Sequence, residues 1–183
     1  MTTAEKLERG GFLRKESQVN FDKLVKAYDH IQTLDKVGLV FQGEVGTGKT
    51  MAMMALFFED NYTIRLSNPL NIKKILPQKF VQDDEEVLEW GFENENVFLD
   101  DLGNEGYHND YGKKTEAACD YITQFHFEYF LKGKQKGRFL ATTNITDAQL
   151  IERYGQRVFD RLLEMCCFVK FEGGTKRKSQ EVF

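Results

Sequence analysis

"LVFQGEVGTGKTMAMMALFFED", residues 39–60, sets a short apolar run against a glycine-rich turn and then a second, longer apolar segment. Its centre, "GEVGTGKT", fits G-x-x-x-x-G-K-[ST] at Gly43, Gly48, Lys49 and Thr50. Glycines let the backbone take positive φ and come close to phosphates, and successive N–H groups then form an anion nest at the start of the next helix. The same glycines would also suit a turn that binds nothing. Context separates the two readings, because the pattern follows a predicted strand (37–42) and opens a predicted helix (49–59). The stretch is read as a cradle for ATP, formed by Gly43, Glu44, Val45, Gly46, Thr47, Gly48, Lys49, Thr50 and Met51. In that reading Lys49 reaches the β- and γ-phosphates, and the Thr50 hydroxyl holds Mg2+.

Outward from the cradle, strand and helix alternate. Apolar runs predict further strands at 62–67, 96–100, 138–143 and 166–172, and helices at about 70–80, within "EEVLEWGF", at 115–131, in "DAQLIERYG" and in "QRVFDRLLEM". Before the cradle, Phe21, Leu24, Val25, Tyr28 and Ile31 share one face of a helix for which Asn20 is the expected cap. Residues 1–19 read as a polar arm, 20–178 as one domain and 179–183 as a tail. Such alternation implies a mostly parallel sheet covered by helices on both faces, with ligands bound at the carboxyl ends of its strands.

Composition narrows the class. The chain has 183 residues, enough for one full core, with 41% hydrophobic and 30% charged residues. No apolar run reaches the length of a membrane span, and the charged N-terminus lacks a signal core, so a cytoplasmic protein is expected. Cys119, Cys166 and Cys167 match no zinc or redox spacing and read as small core residues. His30, His108 and His126 form no metal constellation. A net charge of −4 argues against a protein built mainly to coat nucleic acid. Two basic clusters, Lys132, Lys134, Lys136 and Arg138, then Lys176, Arg177 and Lys178, offer at most a local contact with single-stranded DNA.

"NVFLDDLGNE" places Asp100 and Asp101 after an apolar strand. Asp100 is expected to hold Mg2+, and Asp101 to orient or deprotonate the attacking water, with Glu105 a weaker alternative for the second role. One strand, 62–67, separates the cradle helix from this acidic strand in sequence. That arrangement resembles the ASCE branch of P-loop ATPases, which has an extra strand between the two that bear the Walker motifs. Thr142, Thr143 and Asn144 close the fourth strand. Asn144 is the choice for a sensor of the γ-phosphate, by resemblance to the sensor 1 position of AAA+ ATPases. Arg157 and Arg161, four residues apart, share a helical face that points outward while Val158, Leu162 and Met165 face the core.

Together, "GEVGTGKT", "VFLDDLGNE", "FLATTN" and "YGQRVFDRLLEMC" resemble the DnaC/DnaI-type helicase loaders and the related IstB-like transposition helpers, which are AAA+ ATPases. "VKFEGGTKRK" looks like a degenerate form of the family's terminal strand and late arginine motif. The resemblance runs from about Phe21 to Lys178. It implies an α/β, three-layer P-loop NTPase of the ASCE/AAA+ type with a five-stranded, mostly parallel sheet and no C-terminal lid domain. It implies ATP and Mg2+ as cofactors and slow ATP hydrolysis in DNA replication. The partners it implies are a replicative helicase or another ATPase, with nucleotide-dependent self-association. Arg161 matches the family's arginine finger, Arg157 is its neighbour, and Arg177 stands in for the late arginine. Departures are visible too. Only about 20 residues precede the first helix, where the family carries a grip domain, His126 lies near a position usually held by arginine, and Asp101 stands where many AAA+ proteins have glutamate. The rival readings are a transposition helper, a nucleotide-gated binding module with little hydrolysis and, less favoured, a small-molecule kinase.

Overall fold

All five residues of β1 (Gly38–Gln42) are buried, which places this strand inside a sheet rather than at its rim. The computed structural model describes residues 1–31, 36–56, 63–66, 96–104, 107–110, 113–127 and 138–174. β1 pairs with β6 (Phe139–Thr143) on one side and with β7 (Cys166–Lys170) on the other. β3 (Asn96–Leu102) pairs with β6, and β2 (Thr63–Leu66) with β3. Every pairing is parallel, and the order is β2-β3-β6-β1-β7. The strand lying between β1 and β3 is therefore β6. β2, which separates α3 from β3 in sequence as expected, lies at the sheet's edge in space.

Alternating side chains send two cores to opposite faces. Leu39, Phe41, Leu140 and Val169 meet α1 (Thr3–Arg9), α2 (Gln18–Ile31) and α3 (Lys49–Leu56). Val40, Ala141, Phe139 and Cys166 meet α4 (Ala117–Phe125), α5 (Asp147–Tyr154) and α6 (Gln156–Met165). The result is three layers around one sheet. Fully buried side chains such as Phe41, Phe139 and Leu24 each stabilise it by about 1.5–3 kcal/mol. Among the described residues no helix is long and apolar enough to cross a membrane.

Several expectations need correction. Residues 1–19 are not a polar arm. Thr2 caps α1 in a reciprocal pair with Glu5, and Leu7 and Phe12 are buried in the same core as α3. At Gly10 the backbone passes so close that a Cβ would lie 2.4 Å from Ala55 Cα, so only glycine allows the approach. Asn20 caps nothing. The helix starts at Gln18, and the buried Asn20 side chain instead exchanges two 2.8 Å hydrogen bonds with the Glu172 backbone. The helix expected from 115 begins at Ala117, because Lys113–Glu116 forms β5, paired antiparallel with β4 (Tyr107–Asp110). The helices expected at 70–80 and within "EEVLEWGF" lie outside the described residues.

Candidate functional site

β1, β6 and β3 lie side by side, so their carboxyl ends bring three sequence-distant segments to one cleft. Past β1 the chain turns at Gly43, whose N–H donates to the Thr143 carbonyl at 3.2 Å. A Cβ at Gly43 would lie 2.6 Å from the Phe171 carbonyl oxygen, so the turn has no room for another residue. Gly46 and Gly48 take φ of 83° and 93°. The Thr47 hydroxyl braces the loop by donating to the Glu44 carbonyl at 2.9 Å. The loop then delivers the first turn of α3, whose unpaired N–H groups and positive dipole end favour an anion. Val45 and Met51 stand exposed on its rim.

Lys49 is only 5% exposed. Its ammonium donates to the carbonyls of Gly43 and Glu44, at 2.8 and 2.7 Å, and to Asn144 Oδ1 at 2.7 Å. A charge-assisted bond from this ammonium to a phosphate oxygen would be about twice as strong as a neutral hydrogen bond.

The acidic end is built differently. The strand expected over 96–100 does not stop at Asp100 but runs on through Asp101 to Leu102. Leu99 registers with Ala141 and Leu102 with Thr143, so Asp100 and Asp101 together oppose Thr142. This is a β-bulge, and the extra residue changes which side chains face which core. Leu99 and Leu102, three apart, now enter the same core, while Asp101 is left exposed with φ of 58°. Asp101 is the one described non-glycine residue with positive φ.

Hydrogen bonds tie the cleft together. Thr50 Oγ1 donates to Asp100 Oδ1 at 2.8 Å, and Asn144 Nδ2 donates to Asp101 Oδ1 at 3.4 Å. Asn144 thus joins the loop lysine to the exposed aspartate. The cavity between them has a volume of about 470 Å³ and is lined by Gly46, Gly48, Lys49, Thr50, Asp101 and Asn144, among others. That volume suits a small ligand. The Thr50 hydroxyl and Asp100 carboxylate form an all-oxygen pair beside the glycine loop. Such a donor set fits Mg2+, which takes one or two carboxylates and completes its shell from phosphates and water.

Of three further polar groups that carry this geometry, Thr142 was passed over in favour of Asn144, and Asn104 and Gln42 were not singled out from the sequence. Thr142 bonds both aspartates, donating to Asp100 Oδ1 at 2.7 Å and accepting from the Asp101 N–H at 2.9 Å. Asn104 lines the cavity, its N–H closing a turn onto the Asp101 carbonyl. Gln42, buried at the end of β1, reaches past β6 to the Ile145 carbonyl and Asp147. Gln42 had a readable signal, as the one polar residue ending an apolar run.

The arginines divide. Val158, Leu162 and Met165 are buried and Arg157 is exposed, as read. Arg161 does not point outward. It is half-buried and donates to Thr123 Oγ1 on α4 at 2.6 Å. Nearby, the buried His126 ring meets the Glu164 carboxylate at 2.6 Å, a second tie between the end of α4 and α6. Burial pushes the Cys166 thiol far above its usual range, which suits a core residue rather than a reactive one. Glu105, Arg177, Lys132, Lys134, Lys136, Lys176 and Lys178 lie outside the described residues.

No protein-family model and no curated protein sequence matches the chain. Solved structures do share its fold. The DnaC helicase loader aligns with a TM-score of 0.56 at 18% identity, over 84% of this chain and 91% of that one. AMPPCP-bound DnaA from Aquifex aeolicus aligns at 0.57 and 15% identity, over 85% of this chain and 46% of that one. Domain III of the Thermotoga maritima replication initiation protein DnaA aligns at 0.53 and 14% identity, over 84% and 62%. At these identities the likeness is one of fold, the α/β P-loop architecture expected from the motifs.

Proposed function

We propose that this chain binds ATP with Mg2+ and hydrolyses it, slowly when alone, as a helicase-loader-like assembly factor in DNA replication. The observation that carries the reading is the hydrogen-bonded series Lys49–Asn144–Asp101, set beside Thr50–Asp100 at the mouth of one cleft. Each role follows from chemistry. Lys49 holds the β- and γ-phosphates in place of the loop carbonyls it now bonds. Thr50 and Asp100 hold Mg2+, which when bound polarises the phosphoryl oxygens. Asp101, exposed and aimed into the cleft, orients the attacking water and takes its proton. Asn144 touches both Lys49 and Asp101, so it registers the γ-phosphate from one side and the water from the other. The shared fold with a helicase loader and a replication initiation protein supports DNA replication as the setting.

The cleft lining among the described residues contains no arginine. From the resemblance of "YGQRVFDRL" to the family's finger segment, an arginine finger worth about 10³–10⁵ in turnover is assigned to a neighbouring subunit or partner ATPase. Arg161 supplies it once it leaves Thr123, with exposed Arg157 one turn away. The same Arg161–Thr123 bond favours a second reading, a nucleotide-gated binding module in which the arginine stays within its own chain.

Hydrolysis by the purified protein, with and without single-stranded DNA, together with its mass by light scattering, separates the two. Nucleotide-dependent assembly with stimulated turnover, abolished by Arg161→Ala, supports the assembly factor. A monomer that binds ATP without turnover supports the gated module. Loss of binding in Lys49→Ala is expected under both, and unchanged binding in that variant overturns the cradle itself.

A further inference from the structure

From the bulge in β3 we infer that Thr142 is the positioning residue for the Mg2+ ligand Asp100, an inference that rests on the Mg2+–ATP reading above. Thr142 is fully buried, so it acts on the cleft only through its neighbours. Its one hydroxyl does two things. It donates to Asp100 Oδ1, and it accepts from the Asp101 N–H, which the bulge has removed from the regular ladder. A bulge lengthens one strand against its neighbour and leaves backbone groups without their ladder partners. A hydroxyl opposite the bulge is the smallest group able to satisfy the orphaned N–H and fix the adjoining carboxylate together.

Register supports the assignment. Thr142 follows Leu140 by two residues and faces the α3 side of the sheet, the side that Thr50 occupies. Asp100 Oδ1 therefore accepts hydroxyls from two directions, Thr50 on the helix and Thr142 on the strand. Thr50 is itself a proposed ligand of the metal. Thr142 is the scaffold-side bond, independent of what fills the cleft.

The test is Mg2+ titration of binding to a fluorescent ATP analogue, with a parallel measurement in EDTA. Thr142→Val keeps the shape and removes the hydroxyl, and Thr142→Ser keeps the hydroxyl and removes the methyl. For Thr142→Val the Mg2+ concentration at half-saturation is expected to rise about tenfold, the loss of one hydrogen bond to a charged group, with affinity in EDTA unchanged. Thr142→Ser is expected to match the wild type. Thr142→Ala carries the same expectation as the valine variant should that variant fail to fold. An unchanged Mg2+ requirement, equal losses with and without Mg2+, or a serine variant as impaired as valine overturns the assignment. A wild-type protein whose nucleotide binding ignores Mg2+ overturns the underlying reading instead, and that result appears before any variant is made.

Discussion

β1 and β3 both run into the cleft beside β6, yet they end in opposite ways. β1 gives way to a loop whose positive φ values fall on Gly43, Gly46 and Gly48, while β3 carries on through a bulge whose positive φ falls on Asp101. Where the loop turns sharply, glycine takes the positive φ without the strain a Cβ would bring. The strand has to present a carboxylate, so the side chain stays and the strain stays with it. Holding a non-glycine residue in a sparsely populated region costs about 1–3 kcal/mol and persists only where the surroundings over-determine it. Here Thr142, Asn104 and Leu102 do so, by two hydrogen bonds and one buried side chain.

That contrast can be pressed at three points. The largest effect is expected from Asp101→Asn, which keeps the bulge and removes the base proposed above. Turnover should fall about 10²–10⁴-fold with ATP affinity unchanged, measured by single-turnover hydrolysis beside equilibrium binding. Equal loss of both would mean Asp101 belongs with the loop, as a binding group. Next comes Gly43→Ala, whose new Cβ meets the Phe171 carbonyl. It should destabilise the fold by about 1–3 kcal/mol in urea melts. A wild-type melt would show that the loop tolerates side chains after all. The smallest effect, and of opposite sign, is expected from Asp101→Gly. Relief of the strained φ should raise stability by about 1 kcal/mol while turnover is lost. If stability falls instead, the aspartate is not strained, and the two strand ends differ less than their dihedral angles suggest.

How far the sequence reaches follows the same division. The glycine loop between strand and helix was legible because all its parts lie in one run of eight residues between an apolar strand and an apolar helix. The bulge was not, because it is a relation between Asp100 and Thr142, 42 residues apart in the chain. Leu7 and Phe12 were missed for a related reason. Two apolar residues in a charged segment make no periodic stripe, and only the surface of α3 gives them a place to be buried. Asn20 sits where a cap is common, and local chemistry gave no sign that Glu172 would claim its carboxamide. The β4–β5 pairing hides in "YHND" and "KKTE", which carry no alternation of apolar and polar residues.

The pairing of Asn20 with Glu172 spans 152 positions, and the Phe171 carbonyl backs Gly43, the first residue of the glycine loop. On a ribosome, Gly43 through Thr50 emerge long before that backing exists. β1 must wait for both its neighbours, β6 and then β7, since parallel strands pair only across long connections. Loop-closure entropy is thus spent before the contacts that reward it form, which slows folding. Any ligand of the cleft between β1, β3 and β6 can therefore stabilise the fold only after β7 has joined β1 and brought Phe171 against Gly43.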